Sequence, residues 1–395
     1  MKPRTILFRR VDYTVIVKTY LPIVIVTLIL GLACMYMALR SMAFSPLLKS
    51  HPWLTWGALI VLLATVFMIP VFNRHSGQGA VIFAWASYFL FGVVSTYIVY
   101  LGVADISQYL LHRFFDAPQS TARVWALWSA VVATAISVTA GCVQALQPPK
   151  VRRVEVPILG LIKALEDFTI VQISDLHINS MVSKSSIEAL VQQVNALNPN
   201  VIAITGDLVD GAVGDLLPKV AVLGGLKPRN CVCYVTGNHE YYSGDLENWL
   251  NVFSKMNWCV LMNDNVFIQR NDAKLAVLGV PDTTSKGARG WGPKTNLTRA
   301  LVDVPKGTPK ILLNHKPVDF FEADRAGIVL QLSGHTHGGQ YFPWSVIIPL
   351  FYDFPSGLKR YKHVWIYTSV GTGFWGPPNR FLRPAELTLL VLKHT

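Results

Sequence analysis

Acidic side chains are nearly missing from the first 150 residues, which hold three Asp and no Glu against 11 Lys and Arg. A stretch so poor in charge cannot solvate an ordinary globular surface of that size, and its long apolar runs point to a bilayer. Cysteine is scarce as well. Five occur in 395 residues, with Cys34 and Cys142 inside apolar runs and Cys231, Cys233 and Cys259 in no evident framework, which argues against a disulfide scaffold. Cys231 and Cys233 share one face of an expected strand, where packing is the favoured role over a metal or redox pair. Excess positive charge is also lacking where a polyanion would need it: residues 151–395 carry 24 basic and 20 acidic side chains, so most of the net charge of +12 sits in the first part. No nucleic-acid partner is expected.

Four apolar stretches, about 13–38, 53–72, 79–103 and 122–146, are long enough to cross a hydrocarbon core. Such a crossing takes roughly 20 helical residues. The expectation for 1–150 is therefore a transmembrane helical bundle of about four spans, ended by Gln147-Pro148-Pro149. The first run is too long for the apolar core of a signal peptide and is followed by three more. Lys2, Arg4, Arg9, Arg10, Arg74, Lys150, Arg152 and Arg153 fall on one side of these spans; Arg40, Lys49 and Arg113 fall on the other, with Arg123 at a boundary. The positive-inside rule then places the N-terminus and residues 151–395 in the cytoplasm, on a bacterial-type inner or cell membrane. The spans contain almost no functional polar residues, which disfavours a transporter.

Beyond residue 150 the pattern changes. Short apolar runs rich in β-branched residues, at 168–174, 201–205, 231–236, 311–313 and 328–333, alternate with helical stretches, which indicates an α/β sheet. The segment 183–197 has apolar residues at helical spacing, with Ser185 and Glu188 as a capping box, and 242–258 looks like a second helix. Each apolar run ends in a polar block: Asp175-Leu176-His177, Gly206-Asp207-Leu208-Val209-Asp210, Gly237-Asn238-His239-Glu240, Asn314-His315, and Gly334-His335-Thr336-His337-Gly338-Gly339. Hard oxygen donors mixed with imidazoles at strand ends suit a pair of divalent ions. The glycines that open three of these blocks let the chain turn off a strand beside the ions.

These blocks, in this order, resemble the calcineurin-like metallophosphoesterase superfamily, whose signature is D-x-H, G-D-x-x-D, G-N-H-[DE], a lone His and G-H-x-H. The resemblance covers roughly 165–392 and implies an α/β (α+β sandwich) catalytic domain over 151–395. It puts Asp175, His177 and His337 on one metal and Asn238, His315 and His335 on the other, with Asp207 bridging. It also implies that His239 faces the substrate and stabilises or protonates the departing oxygen, with Asp210 orienting it. Two divalent ions are the expected cofactors, manganese ahead of iron or zinc. His51, His75, His112, His363 and His394 are not expected to be ligands.

Other features bear on the substrate. Arg380 and Arg383 offer guanidinium groups for phosphate. The apolar segment 341–352, which follows the last ligand block, suits either the membrane interface, with Lys359, Arg360 and Lys362 meeting headgroups, or packing on the rest of the protein. Protein serine/threonine phosphatases carry Arg-Gly after the second Asp of G-D-x-x-D, but Gly211-Ala212 stands here, so a phosphoprotein substrate is not expected. Soluble hydrolases of UDP-diacylglucosamine usually have Arg where this chain has His239, and the intact G-N-H-E is closer to the membrane-associated phosphodiesterases. The leading expectation is a membrane-anchored phosphodiesterase or pyrophosphatase acting on a lipid-linked or nucleotide-linked phosphate ester, with no obligate protein partner. A phosphomonoesterase for a soluble metabolite remains open. So does a membrane sensor or scaffold with an inactive enzyme domain, although that reading calls for a lost ligand and none of the seven is missing.

Overall fold

In the computed structural model, the residues described are 28, 31–43, 46–72, 78–115, 119–286 and 292–395. The described residues fall into two compact units, those up to residue 63 and those from residue 64 onward. The described residues at 31–43 are helical, and α1 (Pro52–Phe72) is a helix of 21 residues. Most of the expected first span, 13–38, lies outside the described residues.

Within the second unit, α2 (Gln78–Phe115) and α3 (Gln119–Leu146) are long and apolar enough to cross a membrane. Among the described residues these are the two helices that meet that test, where the sequence suggested four spans. Their outward residues are apolar, Ile82, Phe89, Ile106 and Trp125 among them, while the buried positions of α2 are mostly small: Ala84, Ser87, Gly92, Thr96 and Ala104. Small residues let helix backbones approach closely where lipid replaces water. The Tyr100 and Ser137 hydroxyls, 2.7 Å apart, tie α2 to α3. α3 ends at Leu146, ahead of Pro148-Pro149, and β1 (Lys150–Ile158) starts at once.

The rest of the second unit is built on two six-stranded sheets. One sheet has the order β1, β12 (Glu386–His394), β2 (Thr169–Ile173), β3 (Val201–Ile204), β4 (Cys231–Tyr234), β5 (Cys259–Val260). The other has β10 (Gly357–Tyr361), β11 (Val364–Thr368), β9 (Leu330–Ser333), β8 (Lys310–Leu313), β7 (Ala273–Gly279), β6 (Asp264–Arg270). Ile170, Val201 and Cys233 from the first sheet bury against Leu275, Ile311 and Leu330 from the second, so the sheets form a sandwich. The outer face of the first sheet is covered by α4 (Lys184–Ala196), α5 (Val213–Val220) and, further on, α7 (Leu246–Lys255) through Ile187, Leu190, Val194, Leu216, Trp249 and Phe253. Strands buried on both faces read as continuous apolar runs, which is why these were visible in the sequence.

Two helix expectations need correction. The cap of α4 is Ser183, whose hydroxyl accepts from the Ser186 N–H at 3.1 Å; Ser185 lies inside the helix. The stretch 242–258 is not one helix: α6 (Asn238–Tyr242) stops near Gly244, whose φ is 75°, and α7 starts afresh at Leu246. That break leaves α6 as a short turn that presents Asn238 and His239 at the sheet edge.

Candidate metal centre

β2, β3 and β4 run parallel, as do β8 and β9 in the facing sheet, so their C-terminal ends meet along one edge. Open α/β sheets gather ligands at that edge. The chain leaves the strands there through left-handed backbone: φ is 54° at Asp175, 48° at His177, 51° at Asp207, 70° at His335 and 50° at His337. Such conformations cost on the order of 1–3 kcal/mol each and cluster where function needs them. Gly206, at φ 89°, has no side-chain alternative, since a Cβ there would sit 2.5 Å from the Gly237 nitrogen and 2.8 Å from His315 Nδ1.

The structure brings all seven expected metal-binding residues, with His239 and Asp210, into one buried cluster. Side-chain donor atoms of Asp175, His177 and His337 lie within 4.8 Å of one another, as do those of Asp207, His315 and His335, and those of His177, Asp210 and His239. Asn238 Oδ1 is 3.2 Å from His315 Nε2, which is also 3.2 Å from Asp207 Oδ2. His315 Nδ1 lies 2.8 Å from the Thr205 carbonyl and therefore carries the hydrogen, so a neutral ring would turn its Nε2 lone pair toward two oxygen acceptors. Only a cation or a proton between them relieves that repulsion. Burial opposes charging His315, but Asp207 and then Asp175 raise its pKa to about 10, so a proton stands where a cation would. Likewise His177 Nε2 and His337 Nε2 face each other at 3.1 Å, with Asp175 Oδ1 3.5 Å from the latter. The donor set fits two divalent ions.

Electrostatics separates the histidines. Burial, and then the charges of His315 and Lys316, lower His335 to about 3; burial and then Arg380 hold His337 well below the ordinary imidazole range. Both are thus neutral, as ligands must be. His239 goes the other way: burial opposes its charge, but Asp210 prevails and its pKa rises to about 9. One oxygen, Asp210 Oδ1, lies 2.9 Å from His239 Nδ1 and 2.8 Å from His177 Nδ1. The carboxylate expected to orient His239 alone therefore orients the imidazole of His177, a ligand candidate, too.

Several contributors were not read from the sequence. The buried Glu240 carboxylate accepts backbone N–H groups from Asp207 at 3.1 Å, Leu208 at 2.6 Å and Gly237 at 2.7 Å, and so fixes the loop that carries the bridging candidate. Its place in G-N-H-E was visible, but these distant amides were not. The Tyr352 hydroxyl is 3.0 Å from His335 Nε2. The rings of Trp375 and Tyr242, both largely exposed, stand 5.6 and 5.4 Å from that of His239 and wall its open side. Arg380, expected to reach phosphate, is fully buried instead: it donates to the carbonyls of Val370 at 2.6 Å, Gly371 at 3.4 Å and Gly373, and its Nη2 is 3.2 Å from His337 Nδ1. It braces the segment behind His337. Arg383 is only partly buried.

The apolar 341–352 segment divides. Its start docks on α2, with the Tyr341 hydroxyl 3.1 Å from Ser95 Oγ and the Phe342 ring 5.8 Å from that of Tyr100. Its end leaves Val346, Leu350 and Phe351 exposed. Nearby, the Arg380 N–H donates to the Gly141 carbonyl of α3 at 2.9 Å, and Trp85 of α2 meets Phe374 at 6.3 Å. The helices thus hold the loops that border the polar cluster.

Comparison with known proteins agrees with this geometry. Residues 168–339 match the calcineurin-like phosphoesterase family. A transmembrane protein with metallophosphoesterase domain from Danio rerio is 34% identical over 325 residues, covering 78% of this chain and 74% of its own length. The Bos taurus protein of that name is 37% identical over 273 residues, covering 67% of this chain and 62% of its own. A metallophosphoesterase of Helicobacter pylori is 34% identical over 256 residues, covering 64% and 66%.

Proposed function

The chain belongs to the calcineurin-like phosphoesterase family and is a metal-dependent phosphoester hydrolase, and from that premise we propose that it is a phosphodiesterase or pyrophosphatase, anchored by four spans over 1–150, whose catalytic domain over 151–395 works at the cytoplasmic membrane surface on a lipid-linked or nucleotide-linked ester. The observation that carries this reading is the junction: α2 and α3 grip the 341–342 and 374–381 loops that border His239 and His337. An active site tied to such helices meets esters presented at a bilayer.

Asp175, His177 and His337 would hold one divalent ion and Asn238, His315 and His335 the other, with Asp207 shared; manganese is the ion we would supply first. Bound ions contribute Lewis acidity toward phosphoryl oxygens and lower the pKa of water. The protein's own groups do the rest. His239, charged at neutral pH by its partnership with Asp210, has its Nδ1 engaged and gives the Nε2 proton to the departing oxygen. Glu240 keeps the Asp207 loop from shifting. A doubly charged monoester would call for a further cation, but Gly211-Ala212 supplies none and Arg380 is committed to carbonyls, which leaves Arg383 as the guanidinium for a singly charged diester. Trp375 and Tyr242 offer the second ester group an aromatic wall.

The test is hydrolysis by detergent-purified protein with Mn²⁺, comparing bis(p-nitrophenyl) phosphate with p-nitrophenyl phosphate, alongside Asp207→Asn and His239→Ala. Diester cleavage that both substitutions abolish or severely reduce is expected. Preference for the monoester would replace this reading with a tethered phosphatase for soluble metabolites.

A further inference from the structure

A cavity of about 540 Å³ within the second unit is lined in part by Thr372, Gly373 and Phe374, the residues that precede Trp375. Trp85 of α2, Ala145 and Leu146 at the end of α3, and Ile187 and Leu190 of α4 line it. Leu176, which sits between the ligand candidates Asp175 and His177, lines it too. This volume is within the range of roughly 300–1,000 Å³ typical of ligand pockets. The polar lining is limited to Gln147, Ser183, Ser185, Ser186 and Thr372, and the rest is mostly apolar.

The cavity and the polar cluster share a partition. The Thr372 N–H donates to the Ser174 carbonyl at 2.7 Å and that of Gly373 to the Asp175 carbonyl at 3.1 Å, so 372–373 is laid directly along the first ligand block. Phe374 then turns toward the cavity and Trp85, and Trp375 toward His239. Part of its lining belongs to helices apolar enough to cross a membrane, so the cavity stands where hydrocarbon gives way to headgroups, and adjacent residues, Phe374 and Trp375, line the cavity and the hydrolytic site. A mostly apolar slot with hydroxyls in its lining, one partition away from a phosphoester-cleaving centre, matches one ligand chemistry: a fatty chain with an ester or amide at its head.

We propose that this cavity takes an acyl chain of the substrate, which makes the substrate a lipid-linked phosphodiester rather than a free nucleotide. The proposal rests on the diesterase reading above and deepens it. Each methylene drawn into such a site strengthens binding about fourfold when fully buried, so kcat/KM rises with chain length until the slot is full.

The experiment has two arms on the full-length protein in lipid bilayers. In the first, phosphatidic acid carrying a diazirine on its acyl chain is photolysed, and the labelled peptides are identified by mass spectrometry. Labelling of 181–190 and 372–374 is expected, reduced in Ala189→Trp, whose side chain would fill the slot from the exposed face of α4; labelling confined to the outer faces of α2 and α3 overturns the proposal. In the second, a phosphodiester with a fixed headgroup is offered with acyl chains of 2 to 12 carbons. The ratio of kcat/KM for the longest to that for the shortest is taken within each preparation, so a poorly folded variant cannot imitate the result. That ratio should exceed tenfold in the parent and fall at least tenfold in Ala189→Trp. A parent that cleaves the short diester without chain-length dependence overturns the acyl site and leaves the diesterase standing. A parent that cleaves no diester defeats the diesterase reading, and labelling of the slot would then show a structural lipid and overturn the substrate role.

Discussion

The polar edge of the sandwich and the pair α2 and α3 each invert the ordinary rule of protein interiors. At the edge, charged and polar groups are hidden: Asp175 and His315 expose nothing and Asp207 only 2%. On the helices, large apolar groups are shown, with Ile82 70% exposed and Trp125 70%. Each inversion identifies a medium other than water. Buried carboxylates facing imidazole lone pairs require cations, and exposed isoleucine and tryptophan on long helices require lipid. The difference teaches that one compact unit is adapted to two partners at once, and that the 372–375 partition between them is where the two adaptations meet.

The comparison breaks most visibly if the polar edge can lose its shared carboxylate without consequence. Asp207→Asn preserves shape and the acceptance of the His239 N–H, seen at 2.8 Å, but removes the charge. Elemental analysis should show lost metal, and kcat should fall on the order of 10³-fold. Full metal content and near-parental turnover would mean that the buried charge serves only packing. Asp210→Asn is the next largest. Because one oxygen serves both His177 and His239, it should weaken metal affinity and lower kcat together, by about 10- to 100-fold. A drop in kcat with unchanged metal affinity would restrict Asp210 to His239, as the sequence alone suggested.

What the sequence disclosed follows the same division. The five ligand blocks were legible because each ends a run buried on both faces, such as Ile170 to Ile173 or Val201 to Ile204, and because the ligand candidates sit within four residues of that run. The seven ligand candidates within those blocks were then nominated by the resemblance of the ordered blocks to the family signature, and the structure brings them together. Arg380 was offered to phosphate because a guanidinium matches phosphate oxygens; only the fold shows three carbonyls converging on it. Glu240, through the Asp207 and Leu208 amides, and Tyr352 act on groups farther away in sequence, by hydrogen bonds that no spacing encodes. The break between α6 and α7 was hidden because Leu246, Trp249 and Phe253 keep helical spacing on the near side of Gly244. The spans were legible as composition, yet their grip on 341–342 and 374–381 rests on single contacts such as Arg380 to Gly141.

Trp375 stands on the border between the two regions, and Trp375→Ala sharpens the comparison at smaller scale. It contacts His239 edge-on, at an interplanar angle of 76°, without a hydrogen bond from its ring to that group. Aromatic pairs contribute about 0.5–1.5 kcal/mol beyond their burial. The expected result is KM for the aromatic diester raised roughly three- to tenfold, with kcat changed less. A collapse of kcat instead would place Trp375 among the groups that position His239, and the border would belong to the polar edge.

The smallest effect is expected at the tip of the apolar segment. Leu350 is 81% exposed, and Phe351 beside it is 73% exposed. Neither supports the fold, so Leu350→Ser should shift stability in detergent by no more than about 0.5 kcal/mol, as exposed substitutions away from special features do. If those side chains enter the interface, the same change should lower kcat/KM on a bilayer-borne diester a few-fold while leaving hydrolysis of a soluble diester alone, because only the first reaction depends on how the site sits against the headgroups. Equal loss on both substrates would instead mean that the tip supports Tyr352 and, through it, His335, 3.0 Å away. The exposed apolar residues of 346–351 would then serve the polar edge, and the boundary between the two regions would shift from the 372–375 partition to this loop.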